Sequence, residues 1–166
     1  MADPSTTSTS APPPPPPEST VPQQGEQQQQ KHYIPASSCK SLITRVLTSA
    51  GVLPANAEIV AHGLVSADLR GVDTHGINRI PSYMARVSQG VLDPAATPLL
   101  SEVTPVVASV DGRNGFGALA ADAAVRKAVE MARTFGIGMV GVKGSNHFGM
   151  SAWVVQRAID EGMMSL

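Results

Sequence analysis

The chain has 166 residues, with 12 lysines and arginines against 13 aspartates and glutamates, and no basic cluster stands out. That balance excludes nucleic acid as a partner, because binding it needs a concentrated positive surface. A single cysteine, Cys39, excludes an intramolecular disulfide and fits a reducing compartment.

Residues 1–36 read as a leader. Pro12 to Pro17 form an unbroken proline run, Gln27 to Gln30 a glutamine run, and large apolar side chains are almost absent before Tyr33. Such a stretch buries too little surface to offset its conformational entropy, so disorder is expected, with polyproline II character in the proline run. The leader has no apolar h-region and no arginine, which argues against a secretory signal or a mitochondrial presequence. No segment approaches the ~20 apolar residues needed to span a bilayer. The expectation is a cytoplasmic protein without a membrane partner.

Residues 37–98 read as a helical part. Ser37 and Ser38 are placed to cap a helix carrying Leu42, Ile43, Val46, Leu47 and Ala50 at helical spacing, with Gly51 as its stop. Pro54 suits the first turn of a second helix, which carries Ile59, Val60, Leu64 and Val65 to about Arg70. A polar loop, Gly71 to Gly76, leads to a third helix with Ile77, Ile80, Met84 and Val87, and Pro81 belongs in its first turn or two. Asp93, Pro94, Thr97 and Pro98 mark a linker.

From residue 99 the periodicity changes. Val106 to Val110 predicts a strand ended by the turn signal Asp111-Gly112, and the alanine-dense stretch from Gly117 to Phe135 predicts a helix stopped by Gly136. Ile137 to Val142 predicts a second strand and Met150 to Glu161 a further helix, closed by Gly162. Met163, Met164 and Leu166 read as the first residues of another strand, so the sheet reads as unfinished and the chain as a fragment.

Two histidine loops carry the chemistry. In Arg70-Gly71-Val72-Asp73-Thr74-His75-Gly76 the neighbours of His75 are small and leave its imidazole open to a ligand. Arg79 and Tyr83 follow four apart on one helix face, where a guanidinium and a phenol can clamp a carboxylate. The competing reading makes His75 a helix cap and Arg79 a surface ion pair. The second loop, Gly144-Ser145-Asn146-His147-Phe148-Gly149, lies between a strand and a helix, where α/β proteins place their ligands. A helix N-terminus beside it disfavours imidazolium and biases His147 towards the neutral base. Its competing reading is a loop histidine bonded to backbone. Gly112 to Gly117 lacks the glycine spacing of dinucleotide and phosphate loops and reads as a strand-to-helix turn. Asp73 and His75 are too close in sequence, without supporting residues, to found a metal site with His147, and Cys39 reads as packing.

Together these segments resemble the malate/L-lactate dehydrogenase family of NAD(P)-dependent 2-hydroxyacid oxidoreductases. The resemblance runs from Asp68 through Tyr83, then through Gly138-Met139-Val140-Gly141-Val142 into residues 144–149, with Thr74 where the family usually has serine. It implies an α/β (α+β) fold: residues 37–98 as a helical, substrate-side part, and residues 99–166 as the start of a non-Rossmann cofactor-binding domain, incomplete here. It further implies His147 as proton acceptor, Arg79 and Tyr83 on the substrate side, and His75, Gly149, Met150 and Ser151 against NAD or NADP. The implied partners are a small hydroxy or keto acid and, at full length, a second copy in a homodimer. The alternative is a non-catalytic truncated isoform or gene-model fragment.

Overall fold

The computed structural model describes Tyr33–Leu166, which form one compact unit. The readings made for residues 1–32 lie outside the described residues. Helix α1 spans Ala36–Ser49 and α2 spans Pro54–Leu69, joined by a tight turn in which Gly51 takes φ +95°. Only glycine adopts that conformation without strain. Serine capping of α1 is corrected: Pro35 precedes the first helical residue, no side chain caps the end, and Ser37 and Ser38 fall inside the first turn. Pro54 does open α2, where its missing N–H costs nothing.

The stretch after α2 is more broken than its periodicity predicts. Two short 3₁₀ turns, Asp73–His75 and Ile77–Arg79, precede α3 at Ile80–Ser88, so Ile77 lies outside the α-helix and Pro81 sits in its first turn. Asp68 explains the break. Its carboxylate accepts the Ile77 N–H at 2.8 Å, and a Cβ on Gly76 would overlap that carboxylate. Only glycine lets the chain pass there.

Strand β1 is Leu99–Thr104, β2 is Val107–Asp111 and β3 is Met139–Lys143; helix α4, Gly117–Phe135, connects β2 to β3, and α5 is Ser151–Ile159. The sheet order is β1-β2-β3, antiparallel between the first pair and parallel between the second, with Val107 facing Met139 and Asp111 facing Lys143. A parallel pair requires a crossover, and α4 supplies it. Gly136 ends α4 at φ +81°, the left-handed cap that its sequence position predicts. The expected strand at residues 163–166 is not formed; those residues have no regular structure, because a strand exists only through its pairing.

The main core joins Ile43, Leu47, Val60 and Leu64 of the first two helices to Tyr83, Phe116, Leu119, Met150 and Trp153. A smaller cluster sets Ala120 and Ala124 of α4 on Val110, with Val140 packed beside it. Two arginines, Arg126 at 2.7 Å and Arg157 at 2.6 Å, reach the buried carboxylate of Asp122. Arg157 also lies over the Trp153 ring. Leu99, Val103 and Met139 remain exposed on the sheet. No described helix is long and apolar enough to cross a membrane.

Candidate active site

His75 ends a 3₁₀ turn of the helical part and His147 lies in the loop after β3, yet their ring centroids stand 5.2 Å apart. The fold brings the two loops together by packing α3 against the 144–150 segment. Tyr83 makes the main contact. Its ring is buried edge-on to Phe116, and its hydroxyl lies 2.9 Å from His147 Nδ1. Sequence reasoning put the Tyr83 phenol on the substrate; in the structure its oxygen is bonded to His147.

Arg79 is the residue before the first turn of α3, and its Nε donates to the Thr74 carbonyl at 2.7 Å. It forms no ion pair with any acid among the described residues, so the surface ion-pair reading does not describe it. Placed at the positive end of a helix without an acidic partner, its guanidinium favours an anion. His75 is half-buried, with Nδ1 3.0 Å from the Thr74 hydroxyl.

The electrostatics separate the roles of the site groups. Burial, then the Arg79 charge, then His75 push the His147 imidazole below its ordinary pKa, so it is neutral at neutral pH. Burial raises the Tyr83 phenol, with Arg79 opposing, so that hydroxyl stays protonated. The site therefore holds a neutral base, a protonated phenol and a fixed cation within one small region. That set suits removing a proton from a substrate that carries a negative charge.

Gly149, Met150 and Ser151 lead from the loop into α5. Gly149 takes φ +87° with open space where a side chain would lie, Met150 is buried, and Ser151 is exposed as the first residue of the helix. No side chain caps α5, so its first N–H groups are available to an acceptor. Among the described residues no cluster of three or more His, Cys, Asp or Glu could hold a metal ion. Sequence reasoning missed Asp68, which locks the His75 loop, and Arg86, which donates to Asn146 at 2.7 Å. A signal for Arg86 was present: it follows Arg79 and Tyr83 at the helical spacing that puts all three on one face.

Similarity to known proteins identifies the family. The sequence model of the malate/L-lactate dehydrogenase family matches residues 34–166, and the chain belongs to that family. A malate dehydrogenase of Pyrococcus abyssi is 36% identical over 133 residues, covering 80% of this chain and 37% of the relative. A malate/(S)-sulfolactate dehydrogenase of Methanothermus fervidus is 32% identical over 127 residues, 76% of this chain and 38% of the relative. The crystal structure of malate dehydrogenase from Entamoeba histolytica superposes with a TM-score of 0.77 at 36% identity, covering 80% of this chain and 37% of that one. The chain thus spans well under half the length of the relatives it matches.

Proposed function

We propose that this chain contributes the proton-transfer and substrate-binding side of an NAD(P)-dependent dehydrogenase acting on a small 2-hydroxy acid. The observation that carries the reading is the contact of Tyr83 with His147 Nδ1 at 2.9 Å, beside His75 and Arg79, which has no acidic partner among the described residues. In the working tautomer, His147 Nδ1–H donates to the Tyr83 oxygen and leaves Nε2 free to accept the substrate's hydroxyl proton. Arg79 holds the carboxylate through its terminal nitrogens, since Nε is already bonded to Thr74. That grip fixes which face of the hydroxyl carbon meets His147.

A bound nicotinamide would supply the acceptor for the hydride. The donors present fit its near end: the half-buried imidazole of His75 offers a flat aromatic face, and the open backbone of Gly149 to Ser151 offers N–H groups and a hydroxyl. Groups for the rest of a dinucleotide, and a second copy that completes a homodimer, would belong to the full-length protein. Relatives that act on malate and on sulfolactate share a carboxylate beside the hydroxyl carbon, which is the feature Arg79 would recognise.

The test is steady-state kinetics on a version extended to the length of the relatives, with malate or sulfolactate and either nicotinamide cofactor. His147→Ala should lower kcat by roughly 10²–10⁴-fold, the usual contribution of a positioned base. Arg79→Leu should mainly raise KM, by roughly ten- to a hundred-fold for a lost charged hydrogen-bonding group. A normal kcat in His147→Ala would overturn the assignment.

A further inference from the structure

We propose that Asn146 is a positioning residue for His147: its carboxamide pins the histidine loop at once to α3 and to the glycine-rich turn before α4. The proposal rests on the reading of His147 as the base and names what holds that base in place. Asn146 Oδ1 accepts from Arg86 Nη2 at 2.7 Å. On its other side Nδ2 faces three acceptors, the Asn114 carbonyl at 2.9 Å and the Asn114 Oδ1 and Gly115 carbonyl each at 3.1 Å. An amide nitrogen has two hydrogens, so this side is fully used.

The turn is shaped to meet that amide. Arg113 and Asn114 both take positive φ, 49° and 59°, a conformation uncommon for residues other than glycine. Their backbone is tied to the far end of the histidine loop by Asn114 N–H to the Gly144 carbonyl at 2.6 Å. Gly112 and Gly117 allow close approach: a Cβ on Gly112 would stand 3.0 Å from the Gly144 carbonyl oxygen, and one on Gly117 2.5 Å from the His147 carbonyl oxygen and closer still to that of Asn146. The glycine-rich stretch that matches no phosphate-loop spacing is therefore a seat for the histidine loop.

The geometry on α3 gives the link its consequence. Tyr83 and Arg86 lie one turn apart on the same face, and they bond to His147 and Asn146, which are adjacent in the loop. Two neighbouring residues are thus held by two successive turns of one helix. Releasing Asn146 leaves the Tyr83 bond to hold the imidazole alone against the surrounding Arg79 and His75. The ring then rotates off Tyr83 and loses its fixed tautomer.

The test uses the 166-residue chain labelled with ¹⁵N-histidine, with His147 identified by its loss in His147→Gln. Long-range ¹H–¹⁵N spectra read the tautomer and titration of each imidazole. In the wild type, His147 should hold one tautomer and titrate below the ordinary histidine range. In Asn146→Ala its tautomers should mix and its midpoint should rise, while His62 of α2, which is bonded to Trp153 instead, stays as it was. Asn146→Asp is a second variant of the same shape; it keeps the acceptor for Arg86 but repels the Asn114 and Gly115 carbonyls, and should also mix the tautomers. An unchanged His147 tautomer in a folded variant would overturn the proposal, and so would loss of folding in both, which would make Asn146 structural only. A positive result here, with full turnover in His147→Ala of the extended protein, would instead sink the base assignment and leave the positioning intact.

Discussion

Gly117→Ala sets two known effects against each other at one atom. Gly117 opens α4, and replacing glycine by alanine in a helix is worth up to about 1 kcal/mol in favour of the variant. Against this, the new methyl would stand 2.5 Å from the His147 carbonyl oxygen and nearer to that of Asn146. Both are backbone atoms that cannot rotate away, so the loop or the helix start must shift by several tenths of an ångström. Overpacking of this kind costs roughly 1–3 kcal/mol, and at the first helical position the propensity gain is at its smallest. The clash wins, with a net loss of about 1–2 kcal/mol. For a domain of this size that corresponds to a fall of roughly 3–8 °C in Tm. Differential scanning calorimetry measures it, with Gly141→Ala as the control, because nothing lies within 4 Å of a Cβ there. A Tm for Gly117→Ala at or above that of the control would refute the claim that this glycine is required for the histidine loop to seat.

Tyr83→Phe keeps the edge-on packing against Phe116 and removes the hydroxyl bonded to His147. Stability should fall by about 1 kcal/mol, measured by urea titration, and an unchanged midpoint would mean the bond contributes nothing. His62 gives a pH dependence. Its Nδ1 accepts the Trp153 indole N–H at 2.9 Å, which a protonated ring cannot do. Burial, then Lys40 and Arg157, lower its pKa below 6.5, with Asp122 opposing. A depressed histidine pKa means that the unfolded chain binds more protons than the folded one between the folded value and 6.5, so this contribution to stability is complete above 6.5 and is lost as pH falls through that window. Fluorescence of Trp153, the sole tryptophan, should report release of the bond in acid, and His62→Phe should abolish that transition. A transition that persists in His62→Phe would assign it to another group.

Much of this fold was legible because local chemistry and tertiary structure agree. Helix α4 runs from Gly117 to Phe135 as its alanine density and Gly136 stop predict, and α2 begins at its proline. β1 was not legible: every residue from Leu99 to Thr104 is exposed, so no alternation marks it, and the strand exists only through pairing with β2. The last residues fail in the opposite sense, since Met163 to Leu166 have strand-like apolar character but no strand to pair with among the described residues. At the candidate site, sequence singled out both histidines, Arg79 and Tyr83 by their loops and spacing. It could not reveal that Tyr83 reaches across 64 positions to His147, nor that Asp68 fixes the Gly76 passage. Those contacts depend on how α3 packs, which no local period encodes.

The central claim is that neutral His147 accepts the substrate's proton, and the pH dependence of kcat/KM for 2-hydroxy-acid oxidation, in the protein extended to the length of its relatives, tests it most directly. Its lowered pKa predicts full activity above the ordinary histidine range and a tenfold fall per pH unit on the acid side once His147 is protonated. In His147→Ala that acid limb should vanish, leaving a slow rate that rises with hydroxide. An acid limb that survives in His147→Ala and disappears in His75→Ala would contradict the account and give the base to the other histidine.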